Sequence, residues 1–309
     1  MPAQGASGRS GIRAALRMST SHSPLWLGLQ KLLLEEQGDG LYLLVNQSAF
    51  ASNMRSIEAL SSFKKQSLLG QGADAWCDSA TPFVAALRGA TSDQGKMRAL
   101  RRLCDDGCYG SALHVIVSDL SLHALADQLT VRCEALLPDD YEVLLRYFDT
   151  RVLASLMEVM TSEQSAMFFS CSQRWHYADR RGVLIQAHLV DEQTESAVSA
   201  PLVLSIVQQN ALIQAGEVDA VIDVLMRNKI APLLDMPFPE RHPTISRLIN
   251  AAEGWALSST PDLAAYCGLA LLQGAGFDRD EPWSSQLALV KRGDMKFSDA
   301  LAFIDAQLV

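Results

Sequence analysis

Leu41-Tyr42-Leu43-Leu44-Val45, entered from Gly38-Asp39-Gly40, is an apolar run with no position that asks for water. Five residues is the length of a strand, and an unbroken apolar run reads as a strand covered on both faces. Upstream, Trp26, Leu29, Leu32 and Leu33 recur at helical spacing over 26–36. Downstream, Asn53 can cap a helix whose Met54, Ile57 and Leu60 share a face. Residues 67–70 read as a short strand, 83–87 as an apolar run after a Gly/Asp-rich loop, 96–103 as a charged helix and 113–117 as a strand. Ser118 or Ser121 caps a helix over 122–136, Pro138-Asp139-Asp140 breaks the chain, and 141–148 reads as a further strand. Parallel neighbours need a crossover that a helix supplies, so this alternation predicts a mostly parallel or mixed sheet. Short helices over 151–160 and 162–169 follow, and then a hairpin, 173–177 with 183–188, that adds an antiparallel edge.

Beyond this point strand signals almost vanish. Residues 191–201 are small and polar and read as a connector. Helical periods then occupy 202–214, 218–228, 244–257, 261–273, 283–291 and 298–308. The expected organisation is an α/β domain over 25–190, the connector, and an all-helical lobe over 202–309. Residues 1–24 carry Arg9, Arg13 and Arg17, many Ser and Gly, and no acidic residue. They read as a disordered leader or as a start assigned ahead of Met18.

A chain of 309 residues has room for two domains. Its 26 basic and 35 acidic side chains leave −9, with an acidic excess both in 1–200 and in 201–309. A protein that neutralises phosphates needs the opposite balance, so nucleic acid and anionic membrane are poor partners. No run approaches the ~20 apolar residues that span a bilayer, and a cytoplasmic protein is expected. The six cysteines lie scattered and read as free thiols. Cys104 and Cys108 share a helical face with His114 nearby, but no second Cys/His knuckle exists to complete a zinc site.

Catalytic patterns are equally sparse. Gly70-Gln71-Gly72 lacks the third glycine and the helix start of a dinucleotide site, and Asp74 and Asp78 would repel phosphate. No cofactor is expected. His114 and His123 could each approach Asp119 as an acid/base couple or sit as packed, hydrogen-bonded histidines. Asp139-Asp140 is a turn signature before it is a carboxylate pair. The segment with most character is Arg146-Tyr147-Phe148-Asp149-Thr150-Arg151-Val152-Leu153. Asp149 can cap the following helix while an arginine pairs with it, which is a structural corner. Arg146, Tyr147, Asp149 and Arg151 also make a charged docking spot of the kind found at interface hot spots.

That element, with Leu41–Val45 followed by Asn46-Gln47, Ser67-Leu68-Leu69-Gly70, Thr81-Pro82-Phe83-Val84, Ser162-Glu163-Gln164, Phe168-Phe169 and Trp175-His176-Tyr177, resembles the Tap-type effector adaptor chaperones of bacterial type VI secretion. This family was long catalogued as a domain of unknown function. The resemblance spans about residues 25–190. Asn46 stands where an acidic residue is usual and Thr150 where Pro is common. The resemblance implies a non-enzymatic adaptor that binds a toxic effector and loads it onto the VgrG spike. Effector choice would then fall to the helical lobe, with Trp255, Tyr266 and Trp283 either as anchors in a cleft between the lobes or as core. Two other classes stay open: a small-molecule enzyme using Asp119 and Asp149 at strand ends, and an immunity protein for a secreted toxin.

Overall fold

The computed structural model describes residues 22–36, 40–50, 53–69, 81–189 and 201–307. The expected leader lies almost wholly outside them, as does the connector up to residue 200. Ser23 accepts a hydrogen bond from the Trp26 N–H and so caps α1 (Pro24–Glu35), with Pro24 fitting the first helical position. Then come β1 (Leu41–Val45), α2 (Met54–Glu58), β2 (Lys65–Ser67), β3 (Phe83–Ala86), α3 (Gln94–Gly107) and β4 (Leu113–Val117). They are followed by α4 (Leu122–Val131), β5 (Glu134–Leu137), β6 (Tyr141–Leu144), α5 (Thr150–Val159), α6 (Ser162–Phe169), β7 (Arg174–Ala178) and β8 (Leu184–Leu189).

β1 is buried along its whole length near the middle of a six-stranded sheet ordered β2-β3-β1-β4-β7-β8. Leu41, Leu43 and Val45 face a layer built by α1, α2 and α3 with Leu29, Leu33 and Leu100. Tyr42 and Leu44 face the opposite layer, with Leu125 and Leu129 of α4, Leu153 of α5 and Phe169 of α6. Each such leucine taken from water is worth ~1.5–3 kcal/mol.

The sheet corrects the expected parallel or mixed arrangement. Every neighbouring pair in it runs antiparallel. Two of the crossovers inferred from the alternation lie within this sheet, and each skips a strand, while α4 leads from β4 out to β5 in a second sheet. α3 carries the chain from β3 to β4, which point the same way, and β1 lies between them in the opposite sense. α2 likewise joins β1 to β2 across β3. Helical crossovers therefore join like-directed strands without making them neighbours.

Two further departures have local causes. The helix expected over 122–136 stops at Val131, and β5 pairs with β6 as a hairpin. Asp139 and Asp140 turn it with φ of 66° and 57°, the left-handed region that tight hairpins require. The buried Arg132 marks the stop: its guanidinium donates to the carbonyls of Gln128, Met167 and Phe168, the last at 2.6 Å, and so caps the end of α6. β6 ends at Leu144, short of the expected 148, because Tyr147 turns into the core.

The helices expected over 202–214 and 218–228 are one. Leu202–Val203 forms β9, which pairs parallel with β5. A capping box of Ser205 and Gln208 then opens the 22-residue α7 (Ile206–Arg227). α8 (Ala231–Asp235), α9 (Phe238–Glu253), α10 (Thr260–Gln273), α11 (Trp283–Arg292) and α12 (Phe297–Gln307) complete the chain. They pack around Ile245, Leu263, Tyr266, Cys267 and Leu287. Among the described residues no helix is long and apolar enough to cross a membrane.

Arg132 supplies the first prediction. Arg132→Ala strips three carbonyls, that of Phe168 buried, of a charged donor and should lower stability by about 2 kcal/mol, read as a fall in the urea midpoint at unchanged slope. Arg132→Lys, which restores one cationic donor, should recover part of the loss.

Candidate functional site

The segment 146–153 forms a corner between β6 and α5, held from beneath. His114 on β4 is fully buried. Indole N–H can only donate, so the 3.2 Å contact from Trp175 Nε1 makes His114 Nδ1 an acceptor. The ring proton therefore sits on Nε2 and is donated to the Phe148 carbonyl at 3.0 Å. Burial lowers the pKa of His114 to about 4, so the ring is neutral. The Thr150 N–H donates to the Ser111 carbonyl at 3.0 Å, and the Tyr147 hydroxyl to that of Leu129 at 2.8 Å. His114 is thus a positioning residue of the core. His123 stands exposed beside Asp127, while Asp119 accepts from Gln173, so the acid/base couple does not assemble.

On this base Asp149 does two things. Its Oδ1 accepts from the Arg151 backbone N–H and caps α5. The carboxylate also takes both forks of the Arg151 guanidinium, Nε at 3.0 Å and Nη2 at 2.7 Å. These hydrogen bonds raise the pKa of Arg151 further above its ordinary value. Arg151 Nη1 reaches 3.8 Å from Asp219 of α7, and Asp219 pairs in turn with Arg180 from the turn between β7 and β8. Four alternating charges therefore tie the corner, the sheet edge and the first helix of the helical part. A second tie lies nearby: the Tyr109 ring stacks on Phe238 at 5.2 Å, and Arg241 covers Phe238 at 4.0 Å.

Between the corner and α7 runs a groove of about 490 Å³ lined by Leu144, Leu145, Val152, Leu212, Ile213 and Gly216, with Arg146, Arg151 and Asp223 at its margins. Ile213 is 65% exposed and Leu144 53%. Val203, Ile206 and Val207 are also exposed, on β9 and the first turn of α7, outside the groove lining. Arg146 is exposed over the Phe148 ring at 5.8 Å and has no ion pair among the described residues.

The sequence-predicted residues divide sharply. Arg146 stands on the surface, and Arg151 and Asp149 build the groove wall. Tyr147 is fully buried in the aromatic cluster with Phe168 and Trp175, so its expected part in docking is corrected to a packing one. The same correction applies to Tyr266 and Trp283, which are buried, Trp283 against Phe277 at 5.3 Å. Half-buried Trp255 donates through Nε1 to Asp278 Oδ2 at 2.8 Å, and the Tyr266 hydroxyl donates to the same oxygen at 2.7 Å. These side chains fasten the 277–279 turn to α10 and do not line an interlobe cleft. Sequence reasoning missed Asp219, Arg180 and the exposed Ile206, Val207 and Ile213. The i, i+7 spacing of Ile206 and Ile213 was the available signal. The cysteines described are all buried and unpaired. Burial pushes the Cys133 and Cys267 thiols up to about 12. No cluster of three or more His, Cys, Asp or Glu suited to a metal ion occurs among the described residues.

Sheet, corner and groove together define a two-sided antiparallel α/β unit that presents a preformed apolar groove at its junction with a helical part. Residues 41–167, from β1 into α6, match the family described as Domain of unknown function (DUF4123). No curated protein and no solved structure matches the chain.

Two outcomes follow from the corner. Between pH 6.5 and about 4 the unfolded chain protonates at His114 and the folded chain does not, so this residue's contribution to stability falls as pH drops through that window. The loss is ~1.4 kcal/mol per unit and about 3 kcal/mol in all, levelling off below pH 4. Urea unfolding across that range should show it, and an imidazole ¹⁵N titration should place the midpoint below 5. Asp149→Ala removes the helix cap and the bidentate partner of Arg151 together, and should reduce stability by about 2 kcal/mol. Asp149→Asn, which keeps a cap acceptor, should cost less.

Proposed function

We propose that this protein is a non-enzymatic adaptor that holds a secreted effector and passes it to the VgrG spike of a bacterial type VI secretion system, acting in the cytoplasm. The observation that carries the reading is the groove between the corner and α7. It is apolar, open and rimmed by Arg146, which has no ion pair among the described residues. An apolar surface of this kind, edged by charge, is what a protein segment docks against. The family match over 41–167 covers most of the stretch that resembles the Tap-type adaptors, and it supports the same reading. The enzyme alternative has less to stand on, since Asp149 is committed to a cap and an ion pair and Asp119 lies exposed on Gln173.

The −9 charge implies a basic partner surface, whose association slows as salt rises. The test is affinity capture from the producing bacterium with the full chain and with an Ile213→Asp variant, at an exposed position of the groove lining. Wild type should bring down a toxin-like effector and VgrG, and the variant should lose the effector at least tenfold while melting at the same temperature. Capture that the variant leaves unchanged, or a wild type that retains neither protein, would overturn the reading.

A further inference from the structure

The groove between the corner and α7 has a length and a chemistry that narrow what can fill it. Its α7 wall is Leu212, Ile213, Gly216, Asp219, Ala220 and Asp223. That spacing keeps all six on one helical face, about 17 Å or three turns long. The facing wall is the corner, with Leu144, Leu145 and Arg146, and the start of α5, with Val152 and Ser155. Of the lining residues only Leu144 belongs to a strand, and β6 ends there. The corner's backbone donors are already used: the N–H groups of Leu145, Tyr147, Asp149 and Thr150 bond the carbonyls of Cys133, Leu145, Arg146 and Ser111. An extended segment laid here would turn its own N–H and C=O groups onto apolar side chains, which is costly. A helix brings its backbone bonds with it.

Two further features favour a helix. Gly216 stands inside α7, where glycine is a weaker helix former than alanine. A methyl group on its Cα would meet nothing within 4 Å, so no packing within the chain requires glycine there. The bare backbone opens a notch in the α7 wall through which a second helix can approach closely. Arg146 on the corner wall and Asp223 on the α7 wall are both exposed, and neither has an ion pair among the described residues. Asp149, Arg151 and Asp219, which lie between them in the lining, pair with one another. Each wall therefore offers one free charge, and the two are opposite in sign.

We propose that the occupant of this groove is an amphipathic helix of about three turns, with an acidic side chain on the flank that faces Arg146 and a basic one on the flank that faces Asp223. The proposal rests on the adaptor reading in taking that helix from the effector. Apolar side chains at i, i+3 or i+4, i+7 and i+11 form a stripe as long as the α7 wall and seat on Leu144, Val152, Leu212 and Ile213. Burial of that stripe supplies the affinity. The two exposed charges add little to it, but they decide which flank faces α7 and therefore which way round the helix lies.

Selection from a displayed library of random peptides, each long enough for several helical turns, tests this, with the full chain as bait and Ile213→Asp as counter-bait. Enriched sequences should carry the helical apolar stripe with acidic and basic residues on opposite flanks. Arg146→Asp should switch the preferred charge on its flank from acidic to basic. Gly216→Leu fills the notch and should weaken binding of a selected peptide about tenfold. It also replaces glycine by a better helix former, so the variant should melt no lower than wild type. Enriched sequences whose apolar residues alternate would put a strand in the groove. Self-association in sedimentation that Gly216→Leu abolishes would put a second copy there. Either result, no enrichment over the counter-bait, or peptide binding that Gly216→Leu leaves unchanged would overturn the proposal. Capture of effector and VgrG is read separately, so the helical occupant can fail while the adaptor reading stands.

Discussion

A strand without a polar face has to be covered twice, and the covering of β1 governs everything around it. Leu41, Leu43 and Val45 require one helical layer and Tyr42 and Leu44 another. The chain supplies the first layer with α1, α2 and α3, drawn from before and after β1. It supplies the second only after β4, with α4, α5 and α6. To deliver both layers with short connections the α2 crossover straddles β3 and the α3 crossover straddles β1, and each straddled strand runs against the strands it separates. Antiparallel order is the outcome of covering a central strand from both sides with segments close to it in sequence.

The second layer also determines the corner. Trp175 and His114 extend through the core as a hydrogen-bonded pair that ends on the Phe148 carbonyl. A carbonyl at a chain reversal, buried and without a ladder partner, would otherwise stand unsatisfied. A neutral imidazole suits this position because it accepts from an indole and donates to a carbonyl at once, which neither an ammonium group nor a carboxylate can do. With Phe148 fixed, Asp149 emerges at the start of α5, where the cap and the Arg151 fork follow from geometry alone. Asp219 and Arg180 then extend the ion pairs to α7, so the helical part is anchored through the same corner that the sheet supports.

Much of this was legible in the sequence because it is local. The apolar run at 41–45, the cap at Ser121, the hairpin of β7 and β8 and the Asp149 cap depend on neighbours a few residues away. Strand direction does not, since helical alternation is the same for a crossover that skips a strand and one that does not. β5 was hidden because Leu122 to Leu136 keeps a helical apolar pattern past the point where Arg132 is drawn to the end of α6. The aromatic residues misled for a related reason. Tyr147, Tyr266 and Trp283 have the side chains that dominate interfaces, but the same large apolar area makes them the residues a core buries first. Composition cannot separate the two uses; only the number of layers above a residue can.

The two arginines of the corner show what does separate them. Arg146 and Arg151 lie five residues apart, of identical chemistry, on either side of one aspartate. Arg151 is on α5, where its guanidinium falls back on the Asp149 that caps its own helix and reaches Asp219 beyond. Arg146 precedes the turn, on the outward side of a strand end, where no described carboxylate comes within pairing distance. One is consumed in holding α7 against the sheet, and the other is left over because that task is already done. A groove whose two walls are locked together in this way does not have to be assembled by its occupant. The ordering entropy has been lost on folding, and a partner that meets Arg146 gives up less of its binding energy to organise the surface it binds.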